Sequence, residues 1–233
     1  MTWFAVAAAV LAAYLVGSLS FAVIVSRGFG LADPRSYGSG NPGATNVLRS
    51  GHRGAAVLTL GLDALKGYLP VLAVLLLGPR VGLGEGTAAL AGLAAFVGHL
   101  WPVFFRFQGG KGVATAAGAL LALNPWLGAA TLLTWIIIAA FFRYSSLASI
   151  VAALFAPFYE LLIWGVTPAL PAIAAMSLLL VWRHEGNLRK LFAGTESRLG
   201  AKAQPTGGPA VKHPPNRHPT RPHAQSHKHR KGH

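Results

Sequence analysis

Six stretches of this chain are apolar for long enough to cross a lipid bilayer, and that repeated length limits the fold more than any other feature. They run near residues 3–25, 56–77, 87–105, 126–142, 147–164 and 168–182, between 15 and 23 residues each, against the ~20 that an untilted helix needs to cross a hydrocarbon core. Lipid offers no partner to an open backbone, so each run is predicted to be a helix. A seventh run, 113–123 (VATAAGALLAL), is about half that length and ends at Asn124-Pro125, where the proline disfavours helix in the residue before it. The charges nevertheless require it as a crossing. With seven spans, the loops at 26–54, 106–112, 143–146 and everything after 183 share one side, carrying Arg27, Arg35, Arg49, Arg53, Arg106, Lys111, Arg143, Arg183, Arg189 and Lys190; the other side carries Arg80. Basic loops stay in the cytoplasm. The expected fold is therefore an all-α polytopic membrane protein: a seven-transmembrane helical bundle with one short span, the amino terminus outside and the carboxyl terminus cytoplasmic. Small residues inside the runs, such as Gly92 and Ala95 or Ala116, Ala117 and Gly118, suit close backbone approach between spans.

The first run lacks a basic leader and a small-residue cleavage pattern after it, so it is read as a retained helix. The formal net charge is +14, but seven of the 20 Lys and Arg lie beyond Gly200, together with six of the nine His. That segment, 201–233, is rich in Pro, His, Lys and Arg and has nothing to bury, so it is expected to be a disordered cytoplasmic tail suited to anionic lipid headgroups. Residues 1–200 then form one membrane domain. The chain has no cysteine, which removes disulfides, thiolate metal sites and a Cys nucleophile.

Four polar clusters fall on the predicted cytoplasmic side. In the first, DPRSYGSGNPGATNVLR, Gly38, Gly40 and Gly43 allow close approach of a ligand and expose N–H groups as an anion nest, beside Ser39, Asn41, Thr45 and Asn46. Arg49 adds a fork suited to phosphate. A plain interhelical turn would need far less. The second, FQGGKGVAT, sets Lys111 among Gly109, Gly110 and Gly112. It is not a Walker A loop, because Phe105 stands where that motif needs its first glycine and Gly112 follows the lysine. The third, RYSSLAS, offers Ser146 and Ser149, for which helix capping is the ordinary use. The fourth, HEGNLRKLFAGTE, follows the last run and places His184 and Asn187 on neighbouring helical positions. Within the runs, Asp63 and Lys66 stand three apart and fit an ion pair, His99 fits either an interhelical strut or a site wall, and Trp101 fits an interface anchor.

Several chemistries lack their residues. The six acidic residues include no pair spaced to hold two metal ions, and no His has an Asp four residues on. No G-x-S-x-G elbow occurs. What remains is a set of phosphate cradles and cations with no metal site, no cofactor motif and no nucleic-acid motif. A transporter for phosphorylated metabolites is the alternative, since glycine breaks and a half-length helix also mark carrier sites; its outer loops would carry polar groups, and here they are short and nearly featureless.

In order, GSGNPGATN with Arg49, GHLWPVFFRFQGGKGVAT, RYSSLAS and HEGNLRKLFAGTE resemble the PlsY family of bacterial membrane acyltransferases. The resemblance implies seven spans in the bacterial cytoplasmic membrane and a site facing the cytoplasm. It also implies transfer of a fatty acyl group from acyl phosphate to the 1-hydroxyl of sn-glycerol 3-phosphate, giving lysophosphatidic acid and phosphate without a cofactor. On that resemblance Ser39, Arg49, Lys111, His184 and Asn187 bind and align glycerol phosphate. The backbone around Asn41, Gly43, Thr45 and Asn46, with Ser146 or Ser149, holds the phosphate of the donor.

Overall fold

The computed structural model describes residues 2–200; the basic tail, with its expected disorder and lipid contact, lies outside the described residues. Every regular element among them is helical. The α-helices are α1 (Thr2–Gly17), α2 (Phe21–Gly28), α3 (Ala44–Leu48), α4 (Arg53–Leu77), α5 (Glu85–Leu100), α6 (Val113–Leu123), α7 (Pro125–Phe142), α8 (Ser145–Trp164), α9 (Leu170–Arg183) and α10 (Glu185–Phe192), with short 3-10 turns at Gly78–Val81 and Val103–Phe105. Five segments are long and apolar enough to cross a membrane: Thr2–Gly28, Arg53–Val81, Glu85–Phe105, Pro125–Phe142 and Ser145–Trp164. Two apolar helices are shorter, α6 and α9, with 11 and 14 residues. At 1.5 Å per residue α6 is about 16 Å long, roughly half a hydrocarbon core.

The helix bounds follow from local chemistry. The His52 ring accepts the Ala55 N–H through Nδ1 at 3.2 Å and starts α4. Asn124 accepts from the backbone of Trp126 at 3.0 Å and Leu127 at 3.3 Å, and Pro125 takes the first helical position, where its missing N–H costs nothing. Thus Asn124-Pro125, which ends α6, also begins α7.

The first apolar run departs from expectation. It is not one helix: Ser18, Leu19 and Ser20 interrupt it between α1 and α2. The interruption is tolerated because its open groups find partners. Ser18 Oγ donates to the Tyr14 carbonyl at 2.8 Å, and the Leu19 carbonyl accepts from Lys66 Nζ on α4 at 2.7 Å.

Packing joins α4 to α6 and α5, α1 to α5, and α7 to α8 and α6. The core contains few large side chains, Phe96, Leu100, Leu127 and Ile173 among them, and many alanines. Its closeness comes from glycine: at Gly67 and Gly118 a Cβ would enter the backbone carbonyls of Thr115 and Ala64, so α4 and α6 meet backbone to backbone. This contact fixes where the mouth of α6, and with it Lys111, sits against the first glycine loop. Gly118→Leu is accordingly expected to lower the melting temperature in detergent by several degrees, overpacking of this kind costing about 1–3 kcal/mol. Gly61→Ala on the open face of α4, where nothing lies within 4 Å, is expected to leave it unchanged.

Candidate active site

One end of the bundle collects the loop before α3, the glycine loop before α6, the α7–α8 turn and the α9–α10 junction. The first, second and last of these line a hollow of about 280 Å³ whose wall includes Ser39, Asn41, Lys111, Arg183, Glu185, Asn187 and Lys190. A larger cavity of about 430 Å³ opens at the other end beside Trp3, Val6, Leu90 and Pro171, and no ionisable side chain lines it. The ionisable side chains gather at the smaller hollow.

The first loop is built around two polar side chains. Asp33 accepts from the backbone N–H of Arg35 at 2.9 Å and from its guanidinium at 2.6–3.2 Å, and that hydrogen bonding holds its carboxyl below the usual carboxylate range. Asn46, buried, donates to the carbonyls of Pro34 at 2.6 Å and Tyr37 at 3.1 Å and accepts from Ser39 N–H at 3.0 Å and Arg49 Nη1 at 3.5 Å. Its amide is thus spent on shaping the loop. Gly38 and Gly40 adopt left-handed φ of 60° and 66° there, leaving Ser39 and Asn41 at the hollow. Gly43 precedes the five-residue α3, on which Thr45 points to solvent.

The second loop approaches even more closely. Gly110 donates its N–H to the His99 carbonyl at 3.1 Å, and a Cβ on it would strike the His99 ring and the Pro42 carbonyl. Gly109 leaves equally little room against the His99 and Leu100 carbonyls, and Gly112 turns at φ 78° under the Phe96 ring. Arg183, at the end of α9, donates to the Gly109 carbonyl at 3.3 Å and the Gly110 carbonyl at 3.1 Å. Strand-like slack is absent, so Lys111 projects from a rigid base.

Lys111 Nζ donates to Asn187 Oδ1, joining the second cluster to the fourth. Burial, then the positive charges of Arg183, Lys190 and Arg49, push the Lys111 ammonium down to about 8, against the opposing pull of Glu196. Asn187 Nδ2 donates to Glu196 Oε1 at 2.7 Å, and Ser146 Oγ donates to the same oxygen at 2.8 Å, which brings in the third cluster. Arg49 donates to Ser197 Oγ at 2.9 Å, just outside the hollow's wall.

His184 sits behind the wall, 2% exposed, at the bend between α9 and α10. Its Nδ1 lies 2.8 Å from the Leu180 carbonyl. A carbonyl can only accept, so Nδ1 carries the proton and Nε2 is left as the acceptor. Burial, and then the Lys111 and Arg183 charges, push this imidazole down to about 4, so it is neutral at pH 7.

Of the expected site residues, Ser39, Asn41, Lys111 and Asn187 share the hollow, Arg49 and Ser146 reach it through the 196–197 segment, and His184 backs it. Ser149 turns elsewhere: it donates to the Ser145 carbonyl at 2.7 Å and accepts from Trp135 Nε1 at 3.0 Å, inside the α7–α8 packing. Trp101 packs against Trp182 with ring centroids 6.0 Å apart. Residue patterns place Arg183 beside Asn187 and Lys190 at helical spacing without giving it a site role, and they give Glu196 none. Glu196 is visible in sequence only as an acid nine residues after Asn187. Among the described residues no three His, Asp or Glu side chains gather as metal ligands do.

A family profile described as glycerol-3-phosphate acyltransferase matches residues 7–194. A glycerol-3-phosphate acyltransferase of Ralstonia nicotianae is 65% identical over 195 residues, 84% of this chain and 94% of that protein. One from Janthinobacterium is 64% identical over 192 residues, 82% of this chain and 96% of its own length. The crystal structure of PlsY, an integral membrane glycerol 3-phosphate acyltransferase, in its glycerol 3-phosphate form is similar with TM-score 0.78 and 37% identity, covering 84% of this chain and 96% of that one. Its lysophosphatidic acid form is similar with TM-score 0.76, 36% identity, and coverage of 83% and 95%.

Because burial lowers the Lys111 ammonium to about 8, the hollow's hold on anions depends on pH. Sulfate keeps its charge between pH 7 and 9, whereas Lys111 loses its proton as pH rises through about 8. Sulfate affinity, read by calorimetry, is expected to fall roughly tenfold over that range, one pH unit past a pKa leaving about a tenth of the group charged. In Lys111→Arg, whose guanidinium stays charged, the fall is expected to vanish.

Proposed function

This chain belongs to the glycerol-3-phosphate acyltransferase family, and from that premise we propose that it transfers a fatty acyl group from acyl phosphate to the 1-hydroxyl of sn-glycerol 3-phosphate. The products are lysophosphatidic acid and inorganic phosphate. The observation that carries the reading is the convergence of Lys111, Arg183, Lys190 and Asn187 on one hollow, where three cations outnumber the single lining acid, Glu185. Two phosphorylated substrates repel each other, and a wall of cations offsets that repulsion.

Acyl phosphate is a mixed anhydride, so its phosphate leaves readily once an acceptor is aligned. The 1-hydroxyl oxygen attacks the acyl carbon, the bond from that carbon to the phosphate oxygen breaks, and phosphate departs with the electron pair. Holding the two substrates in register supplies the main gain, and donors aimed at the developing negative charge supply the rest. Ser39, Arg49, Lys111 and Asn187 hold the glycerol phosphate; the glycine-rich backbone at 38–43 and 109–112 receives the donor phosphate. Asn46 acts beneath them by shaping the loop, and Ser146 by fixing Glu196. The hydroxyl proton passes to a phosphate oxygen. A phosphate monoester takes up its second proton at about 6, whereas the His184 imidazole is pushed down to about 4, so the phosphate is the stronger base. His184 then serves to hold the α9–α10 bend that carries Asn187.

We place this site at the cytoplasmic face of a bacterial cytoplasmic membrane, in a bundle of seven spans with the amino terminus outside. The distribution of Arg and Lys over the loops supports that orientation. The chain has no cysteine, so single introduced cysteines report topology cleanly. Gly82→Cys is expected to react with an impermeant thiol reagent added to intact spheroplasts and Gly194→Cys only after lysis; the reverse pattern sinks the orientation.

Purified protein in proteoliposomes is expected to form lysophosphatidic acid from acyl phosphate and glycerol 3-phosphate, and to form none with acyl-carrier protein or acyl-CoA as donor. Lys111→Ala and Arg49→Ala are each expected to lower kcat/KM by about 10²-fold or more, the scale of a lost charged donor to an anion. An acyl ester trapped on Ser39 by acid quench during turnover would overturn direct transfer. Uptake of glycerol 3-phosphate into the vesicles without product would favour the carrier reading instead.

A further inference from the structure

The charges buried between the helices take no part in the chemistry above. Asp63 and Lys66 on α4 pair at 2.8 Å, and each residue is 2% exposed. Taking two charges out of water is costly, and their attraction offsets it only in good geometry. Such a pair needs a reason to be kept in an apolar bundle. Its neighbours supply one.

On one side Lys66 Nζ donates to the Leu19 carbonyl at 2.7 Å, the group opened by the break between α1 and α2, and lies 5.6 Å from the centre of the Phe21 ring. On the other, His99 Nδ1 on α5 stands 3.6 Å from Asp63 Oδ1 and 3.3 Å from Thr115 Oγ1 on α6. The same histidine meets both glycine loops. Its carbonyl accepts from Gly110, and its Nε2 edge and the Pro42 carbonyl close on Gly110 from two sides, so tightly that no Cβ fits. Gly110 is the residue before Lys111; Pro42 lies between Asn41 and Gly43. His99 is absent from the wall of the hollow.

We infer that Asp63, Lys66 and His99 form a positioning unit: the Thr115 hydroxyl holds the His99 ring by a hydrogen bond, the Asp63 carboxylate of the buried pair faces it electrostatically, and the ring sets the depth of Lys111 and its spacing from the 39–43 loop. The unit rests on the acyltransferase reading given above and deepens it. It makes no contact with substrate and acts through Gly110. Simple glue between α4, α5 and α6 would account for the burial of these groups, but it would leave the properties of each folded molecule unchanged when the glue is weakened.

That difference is measurable. His99→Gln, which keeps a polar group, and His99→Leu, which does not, are compared with wild type and with Lys111→Ala for melting temperature in detergent, KM and kcat. Both His99 variants are expected to remain folded. In His99→Leu the KM for glycerol 3-phosphate is expected to rise about tenfold with kcat also reduced, a displacement near 1 Å being enough for such losses, and His99→Gln is expected to recover part of both. Asp63→Asn combined with Lys66→Gln, which removes both charges, is expected to repeat the KM effect. If the His99 variants, per folded molecule, turn over with wild-type KM and kcat, the positioning unit is overturned, including the case where only the yield of folded protein falls. Glycerol 3-phosphate binding by calorimetry separates this from the parent reading. An unchanged affinity in His99→Leu overturns the unit even if wild type ignores acyl phosphate, whereas a tenfold weaker affinity supports it and leaves an inactive wild type counting against the donor alone.

Discussion

Lys111 is held as a cation in a place that opposes its charge, half walled by apolar helices and faced by Arg49, Arg183 and Lys190. The rest of the described structure is arranged so that this ammonium can stay there and stay placed. Asn187 and Glu196 offset the repulsion from the α10 side, and Arg183 bonds to carbonyls of the loop that carries the lysine. Positive charge gathered in advance is unfavourable in the free protein and favourable once anions arrive. That is the sense in which a site is preorganised for phosphates.

Placing the cation depends on backbone approach more than on side-chain fit. α4 and α6 touch through Gly67 and Gly118, and the 109–112 loop lies against α5 with no room for a methyl group. The break in the first apolar run belongs to the same arrangement. It releases the Leu19 carbonyl, which Lys66 takes, and Lys66 in turn partners Asp63 under the histidine that braces Gly110.

Much of this was readable from residue patterns. Run lengths located the apolar helices after the first run within a few residues, and 113–123 coincided with Val113–Leu123, because lipid demands apolar helix and Asn124-Pro125 ends one helix while starting another; the first run, read as one helix, is broken at Ser18–Ser20. The four polar clusters were recognisable by composition alone. Their individual duties were not: Asn46 looks like a ligand in sequence, yet its amide is consumed by Pro34, Tyr37 and Ser39, and Ser149 looks like Ser146 but faces Trp135. Hydrogen-bonding residues in a loop carry no label saying whether they point inward or outward.

By itself, then, the sequence determined the helical membrane architecture, the cluster positions and the kind of charge each cluster holds, since those follow from run length, residue type and spacing along one chain. Tertiary structure alone decided that Lys111 meets Asn187 across 76 positions, that Glu196 ties Ser146 to Asn187, and that His99 links a buried ion pair to two loops. Those pairings arise from how helices of unequal length pack against one another, and packing is set by contacts between segments far apart in the chain, which no local pattern encodes.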